Sequence, residues 1–145
     1  MDAEVLNQIL DHSLSMACDL LEKEGCFYPF SFVMDPQGEM MRSGELTEEE
    51  KASDPEKLIS QIEAMLSSGC RQGLYKAVAV VTDVKVERFK SEGFVRSVEV
   101  RIEHEDGSGF DCYLPYRRSE GKVQYGSLFH TSFDSDKFSK KLHSF

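Results

Sequence analysis

Three successive stretches between residues 76 and 116 have the hydrophobic pattern of β-strands. The first opens as an unbroken apolar run and then alternates between apolar and polar residues, and the second alternates throughout. Alternation with a period of two is typical of strands, and the turn residues Asp106 to Gly109 before the third stretch are typical of a hairpin. We therefore predict an antiparallel meander. Its strands are Ala77–Val86, Ser97–Glu103 and Phe110–Leu114.

Two further stretches have the periodicity of amphipathic helices. Between residues 3 and 24, apolar residues recur at steps of three and four, and Gly25 follows where a left-handed residue ends a helix without strain. Asp54 and Pro55 supply an N-cap and a first-turn proline for a second helix, whose end is marked by residues 69–73. The expected buried residues are Leu6, Leu10, Leu14, Ala17 and Leu21 in the first helix and Leu58, Ile62, Met65 and Leu66 in the second.

The stretch between the two predicted helices favours a hairpin followed by a loop. Cys26–Met34 is rich in β-formers, and the turn Asp35–Gly38 has proline and glycine at the second and fourth positions of a type I turn. The returning strand, Glu39–Arg42, is short and is expected near a sheet edge. Residues 43–54 are polar and acidic, and we predict a mobile loop there, with a helical turn as an alternative for part of it.

The order of these elements predicts an α+β fold. We place Val78 and Val80 on the same apolar face of the meander as Val98, Val100 and Ile102, and the charged residues on the other face. Both helices should then cover the apolar face alone. The result is a two-layer sandwich in which two helices pack on one side of an antiparallel sheet of about five strands, with the order αββαβββ.

The chain length of 145 residues matches one ordinary domain. We predict a single domain over residues 1–130, with Val123–Tyr125 as a candidate further strand. Residues 131–145 form a C-terminal tail with irregularly spaced aromatic residues, and this tail either frays or docks on a surface.

Composition and charge narrow the class of protein. A net charge of −9 argues against binding to nucleic acid, because such binding depends on Lys and Arg neutralising phosphates. The sequence contains no apolar run long enough to cross a bilayer and no secretion signal at its N-terminus, so we predict a cytoplasmic protein that does not enter membranes. The four cysteines are scattered through apolar patterns and are expected to be buried, reduced thiols.

The sequence contains no recognised catalytic or metal-binding motif. The histidines are far apart, and neither the metal-ligand spacings nor a nucleophile motif occurs. His104 and Cys112 lie across one predicted hairpin, which leaves a thiol–imidazole pair as one alternative and a hydrogen-bonded structural histidine as the other. We predict no metal and no cofactor, and we favour a non-catalytic protein.

Two surfaces are candidate interaction sites. Consecutive residues of a strand alternate sides, so the successive residues Phe27, Tyr28, Pro29 and Phe30 cannot all face one core. Phe27 and Pro29 must then be covered by a loop or the tail, a subunit or a ligand. Arg101 and Tyr113 lie on the charged face of the meander, together with the small residues Ala77 and Ala79. That face is either solvated or binds a partner, since aromatic residues and Arg concentrate binding energy at interfaces.

Several short motifs spread over most of the chain resemble those of a group of small, uncharacterised bacterial proteins. That resemblance implies no activity and no catalytic residue. The order of elements also resembles roadblock and profilin-like domains, which implies a non-catalytic scaffold that often dimerises. The motifs are Gly25–Phe30, Asp35–Gly38, Ala77–Val80, Glu103–Gly107 and Leu114–Arg117.

From these observations we predict a non-catalytic cytoplasmic protein-interaction domain. Its partner would be another protein or a second copy of the chain, and an adaptor or an immunity protein that masks a basic toxin would be special cases. The alternative is a small-molecule-binding protein or a small enzyme, with a pocket near Tyr28, His104 and Tyr113 and with Arg101 in its wall.

Overall fold

The structure, a computed structural model, describes residues 3–43, 47–52, 54–86 and 90–131. Helices and strands follow one another in an order close to the predicted one, with additional short elements. They are α1 (Ala3–Glu24), β1 (Phe30–Met34), β2 (Met40–Ser43), α2 (Glu48–Lys51), α3 (Pro55–Arg71), β3 (Ala77–Lys85), a 3₁₀ helix (Lys90–Glu92), β4 (Arg96–His104), β5 (Gly109–Ser119), β6 (Lys122–Tyr125) and β7 (Phe129–Thr131).

The ends of the two long helices follow from local chemistry. Gly25 follows α1 with a φ of 86°, and its N–H donates to the Leu21 carbonyl over 3.0 Å. At α3, the Asp54 carboxylate accepts a hydrogen bond from the backbone N–H of Glu56, and Pro55 occupies the first turn. Both boundaries are those that the sequence predicts, because a glycine and an N-cap carboxylate act over only a few residues.

All the strands of the described residues belong to one antiparallel sheet. Its order is β2-β1-β3-β4-β5-β6, and β7 also pairs with β5. The two short strands share the outer edge of β5, with β7 beside Asp111–Tyr113 and β6 beside Tyr116–Ser119. The predicted α+β class and antiparallel sheet are confirmed. The predicted count of about five strands is wrong, since the described ranges form seven, and β7 is too short to show a pattern in the sequence.

Helix α1 packs on one face of the sheet. Its apolar stripe contacts the residues of β1, β3, β4 and β5 that point to this side, and together they form the larger core. Burial of this apolar surface is the main stabilising contribution. The sheet residues of this core are Phe30, Phe32, Met34, Ala77, Ala79, Val81, Val98, Val100, Ile102, Cys112 and Tyr116.

Helix α3 packs on the opposite face. Ile62 and Leu66 of α3 form a second core with Val33, Val78 and Val80. Ala77, Ala79 and Val81 of β3 belong to the core under α1. Val78 and Val80 alternate with them along the strand and therefore point to the other side, as their partners Glu103 and Arg101 do. The predicted arrangement of both helices on one face is therefore wrong. The apolar run at the start of β3 is buried on both faces. An unbroken run shows no alternation, so the sequence does not indicate whether one face or both faces are covered.

Three other predictions are refined by the structure. Residues 43–54, predicted as a mobile loop, contain the four-residue helix α2, while positions 44–46 and 53 lie outside the described residues. Residues 129–131 form β7, whereas the rest of the predicted tail, residues 132–145, lies outside the described residues. Within the described part of the chain, no helix is both long and apolar enough to span a bilayer.

The cysteines differ in their environments. None of the four forms a disulfide bond, and Cys112 is buried beneath α1. Cys18 and Cys70 are half-buried, whereas Cys26 is exposed in the connection between α1 and β1. The prediction that all four are core thiols is thus wrong for Cys26, since the chain leaves the helix at Gly25 before entering the sheet.

Candidate functional site

The structure separates the residues that the sequence suggested as an interaction surface. Arg101 lies on the α3 side of the sheet, where its Nε is 2.5 Å from a Glu99 oxygen and 3.7 Å from an Asp111 oxygen. Tyr113 is on the same face, opposite Glu99 in the register, and its ring stacks on Phe129 at 5.0 Å. The side chain of Arg101 is only 15% exposed. Its charge is therefore compensated within the chain.

Ala77 and Ala79, which the sequence analysis placed beside Arg101, lie on the other face under α1. This part of the predicted surface is wrong, because the register opposes Arg101 to Val80. Burial lowers the pKa of Arg101, but the neighbouring groups Glu99, Asp111 and Tyr113 together outweigh burial, and the net effect is a raised pKa.

The aromatic stretch before β1 is largely covered by the chain itself. Phe27 is 8% exposed and packs edge-to-face against Phe30, with 5.5 Å between the ring centres. Pro29 is also buried. Tyr28 is 47% exposed. Of these candidate interaction residues, Tyr28 alone presents a large surface, and the interaction role itself stays a prediction.

The alternative pocket near His104 is not formed as predicted. His104 pairs with Ala77 on the α1 side, whereas Tyr113 faces the α3 side, so the sheet separates them. Cys112 lies opposite Val100 and not opposite His104, which rules out the directly paired thiol and imidazole. The His104 Nδ1 accepts a hydrogen bond from the Asp106 backbone over 3.1 Å, as in a structural turn.

A cavity of about 500 Å³ lies where α1 ends and β3, β4 and β5 meet. We call it the arginine pocket, because three arginines from two neighbouring strands line it. Two other grooves have larger volumes, of about 610 and 680 Å³, but neither is lined by an arginine or a lysine. The residues lining the arginine pocket are Gly25, Cys26, Asp83, Gly93, Val95, Arg96, Tyr116, Arg117 and Arg118.

Arg96 is oriented by a hydrogen-bonded cluster. Its Nε–H is shared between an Asp83 oxygen at 3.0 Å and the Tyr116 hydroxyl at 3.3 Å. The Tyr116 hydroxyl in turn donates to the same Asp83 oxygen over 2.8 Å. These bonds hold the Nε edge of the guanidinium. Within the described residues no acceptor bonds to its two Nη groups, and the side chain is 39% exposed.

The other two guanidinium groups are held by backbone carbonyls. Arg117 donates from Nη1 to the Glu92 carbonyl over 2.8 Å and from Nε to the Gln124 side chain over 3.0 Å. Arg118 donates from Nη2 to the Leu21 carbonyl over 2.9 Å, at the C-terminal end of α1. A cation is favourable at that end of a helix. Both side chains are thus positioned before any ligand arrives.

Two glycines leave room for these side chains. A Cβ atom at Gly93 would lie 3.0 Å from Nη1 of Arg117, and one at Gly25 would lie 3.1 Å from Nη2 of Arg118. Both glycines also have a positive φ, of 87° and 86°. Each position therefore favours glycine for its backbone conformation and for the close approach of a guanidinium.

The electrostatics of the pocket are unusual for this acidic chain. Its lining contains three arginines and one carboxylate, although the protein as a whole carries a net charge of −9. Burial, together with the bond to Asp83, raises the pKa of Tyr116 to about 12, so the phenol stays protonated and donates. Burial lowers the pKa of Arg96, but the bonds to Asp83 and Tyr116 outweigh this and raise it overall. A positive cavity with fixed donors favours an anion.

The described residues include no group of three or more His, Cys, Asp and Glu side chains placed to hold a metal ion. In the arginine pocket itself, Asp83 is occupied by Arg96 and Tyr116.

Comparison of the chain with family models, with curated proteins and with solved structures finds no match. No residue role can be carried over from a relative, and the resemblance to small bacterial proteins and to roadblock-like domains stays a prediction.

The sequence analysis missed the arginine pocket. Arg117 and Arg118 fall in a stretch that reads as a charged turn, and Asp83 reads as part of a solvated face. Arg96 lies 13 residues from Asp83 along the chain. The one available signal was the consecutive arginines that follow Tyr116 in an otherwise acidic chain.

Proposed function

We propose that this chain is a non-catalytic binding domain that recognises an anionic group in the arginine pocket. The observation that carries the proposal is that three arginines, each held by hydrogen bonds within the chain, line one cavity of an acidic protein. Arginine is suited to this role because its planar, permanently charged group pairs with two-oxygen anions through parallel hydrogen bonds.

The competing explanation is structural, because Arg117 and Arg118 also bond to backbone carbonyls of the chain. Arg96 distinguishes the two. Its Nε edge is held by Asp83 and Tyr116, whereas its Nη groups are directed to no acceptor of the described residues. These Nη groups are therefore accessible to a ligand.

The test is a calorimetric titration of the full chain with sulfate, inorganic phosphate and citrate. We expect at least one anion to bind with an affinity that falls as NaCl is added, and Arg96→Gln to weaken it by about tenfold or more, since a bond between charged groups contributes about 1.5–3 kcal/mol.

The matched control is Arg71→Gln. Arg71 is an exposed residue in the last turn of α3, on the other side of the sheet, and its substitution makes the same change in net charge. It should leave the affinity unchanged. Equal losses in the two variants would indicate general electrostatics, and no binding of any of the three anions by the folded wild-type chain would refute the proposal.

A protein-interaction surface is a second proposal. Tyr28 is 47% exposed and Met41 is 49% exposed, and Met41 belongs to β2, the strand at one end of the sheet order. Exposed edge strands and aromatic residues are common at protein contacts. Sedimentation velocity of the wild type and of Tyr28→Ser over a hundredfold range of concentration tests self-association. We also propose that the protein is cytoplasmic.

A further inference from the structure

We propose that the anion of the arginine pocket is the dianionic phosphate group of a small phosphorylated molecule. This inference depends on the proposed function and specifies its ligand. Three features of the pocket support it: its net charge, the number of donor groups it fixes, and its volume.

The charge of the pocket matches a dianion. Three guanidinium groups and the carboxylate of Asp83 leave a net charge of +2 among the lining side chains. A phosphate monoester carries a charge close to −2 at neutral pH, whereas a single carboxylate or a sulfate ester carries −1. A monoanion would leave one positive charge of the pocket uncompensated.

The donors also suit a phosphate. Each guanidinium is held by the chain at one or two of its nitrogens: Arg96 at Nε, Arg117 at Nε and Nη1, and Arg118 at Nη2. No acceptor within the described residues bonds to the remaining N–H groups of the three side chains. A phosphate monoester offers three terminal oxygens, and a carboxylate offers two. Guanidinium donors from β4 and β5 therefore fit the phosphate better than a carboxylate.

The volume favours a small molecule as the source of the phosphate. A cavity of about 500 Å³ is within the range of pockets that hold metabolite-sized ligands, and a phosphate group alone would fill only part of it. Val95 and Cys26 line the cavity and provide less polar surface for the remainder of such a molecule.

The proposal predicts a particular dependence on pH. A phosphate monoester changes from a monoanion to a dianion near pH 6. The ionisable groups that face the cavity are Asp83 of β3, Arg96 of β4, Tyr116, Arg117 and Arg118 of β5, and Cys26 of the connection after α1; no histidine is among these lining residues. The arginines keep their charge throughout the neutral range.

The experiment is a calorimetric titration of the full chain with phenyl phosphate and phenyl sulfate at pH 5.5 and 8.0. Both values lie above the sequence pI of about 4.9, where the protein has least net charge. We expect phenyl phosphate to bind roughly fourfold more tightly at pH 8.0, because the dianion fraction rises by about that factor. Phenyl sulfate is a monoanion at both values, and its affinity should be weaker and constant within about twofold. Arg117→Gln should reduce the preference for phosphate over sulfate, and Arg71→Gln should not.

Other outcomes overturn the proposal in distinguishable ways. Equal affinities for phenyl phosphate and phenyl sulfate, with no effect of pH, would refute the phosphate assignment while leaving anion binding intact. If both affinities changed with pH in parallel, the titrating group would belong to the protein and not to the ligand. That result would also refute the phosphate assignment. If a phosphoserine peptide binds more than about tenfold more tightly than free O-phosphoserine, the source is a protein and the small-molecule assignment is wrong. Binding of none of these probes by folded protein would reject anion recognition altogether.

Discussion

The hydroxyl of Tyr116 donates a hydrogen bond to Asp83 over 2.8 Å and thereby connects two strands that are not neighbours. Asp83 lies on β3 and Tyr116 on β5, with β4 between them. Arg96 of that middle strand donates to the same carboxylate oxygen. One partly buried carboxylate on β3 thus holds a side chain from each of the next two strands, β4 and β5, and this is how the fold orients the guanidinium of Arg96.

We expect Tyr116→Phe to lower both the stability of the protein and the affinity of the arginine pocket for anions. The substitution removes a hydrogen bond to a charged group and should lower the free energy of unfolding by about 1–2 kcal/mol, as measured by urea denaturation. It should also weaken anion binding, because Arg96 loses one of its two positioning contacts. Tyr75→Phe is the control, since the Tyr75 hydroxyl has no hydrogen bond within the described residues. Similar losses in both variants would show that the bond to Asp83 is unimportant.

Phe27 and Tyr28 are adjacent in sequence, but truncating them should change the stability to very different extents. Phe27 is buried and packs against Phe30, so Phe27→Ala should lower the free energy of unfolding by about 3–5 kcal/mol through the cavity it leaves. Tyr28→Ala should change the stability by less than about 1 kcal/mol, because its side chain is half exposed. Thermal and urea unfolding measure both. An intact stability in Phe27→Ala together with a lost dimer would instead assign Phe27 to an interface.

The turn between β4 and β5 contains a carboxylate with a shifted pKa. Hydrogen bonds from the Ser108 side chain and backbone lower the pKa of Asp106 to about 2. The folded-state pKa is below the unfolded value of about 4, so this carboxylate contributes stability above pH 4, and the contribution is lost as the pH falls towards 2. In Ser108→Ala the pKa of Asp106 should move back towards its ordinary value. NMR titration of the Asp106 carboxyl carbon tests this, and an unchanged midpoint would contradict the assignment.

The four thiols should react with an aromatic disulfide reagent in the order of their exposure. Cys26 is exposed and should react first, whereas burial raises the pKa of Cys112 to about 11 and keeps its thiol protonated. Burial, with a contribution from Glu103, also raises the pKa of Cys70 to about 11. At pH 8 we expect one fast thiol, and three slower ones that become fast in urea. Cys26→Ser should abolish the fast phase, and persistence of that phase would place the reactive thiol elsewhere.

The sequence by itself determined the elements whose signals are local. The periodic apolar residues of α1, the Asp54 cap of α3 and the alternation in β4 act over one or two turns or over neighbouring positions, and each predicted element is present. The α+β class follows from their order. The sequence also indicated that the strands are antiparallel, since the connection through Asp106–Gly109 is too short for a crossover.

Only the tertiary structure decided which face each helix covers and where the arginines meet. Helix α3 covers the face of β3 that carries Val78 and Val80. The register places these residues on the same face as Glu103 and Arg101, and packing across the whole sheet fixes that register. The arginine pocket depends on Asp83 and Tyr116, 33 residues apart, reaching the same guanidinium. Contacts between distant positions leave no periodic signal in the chain, because they depend on how strands are placed side by side and not on the order of neighbouring residues.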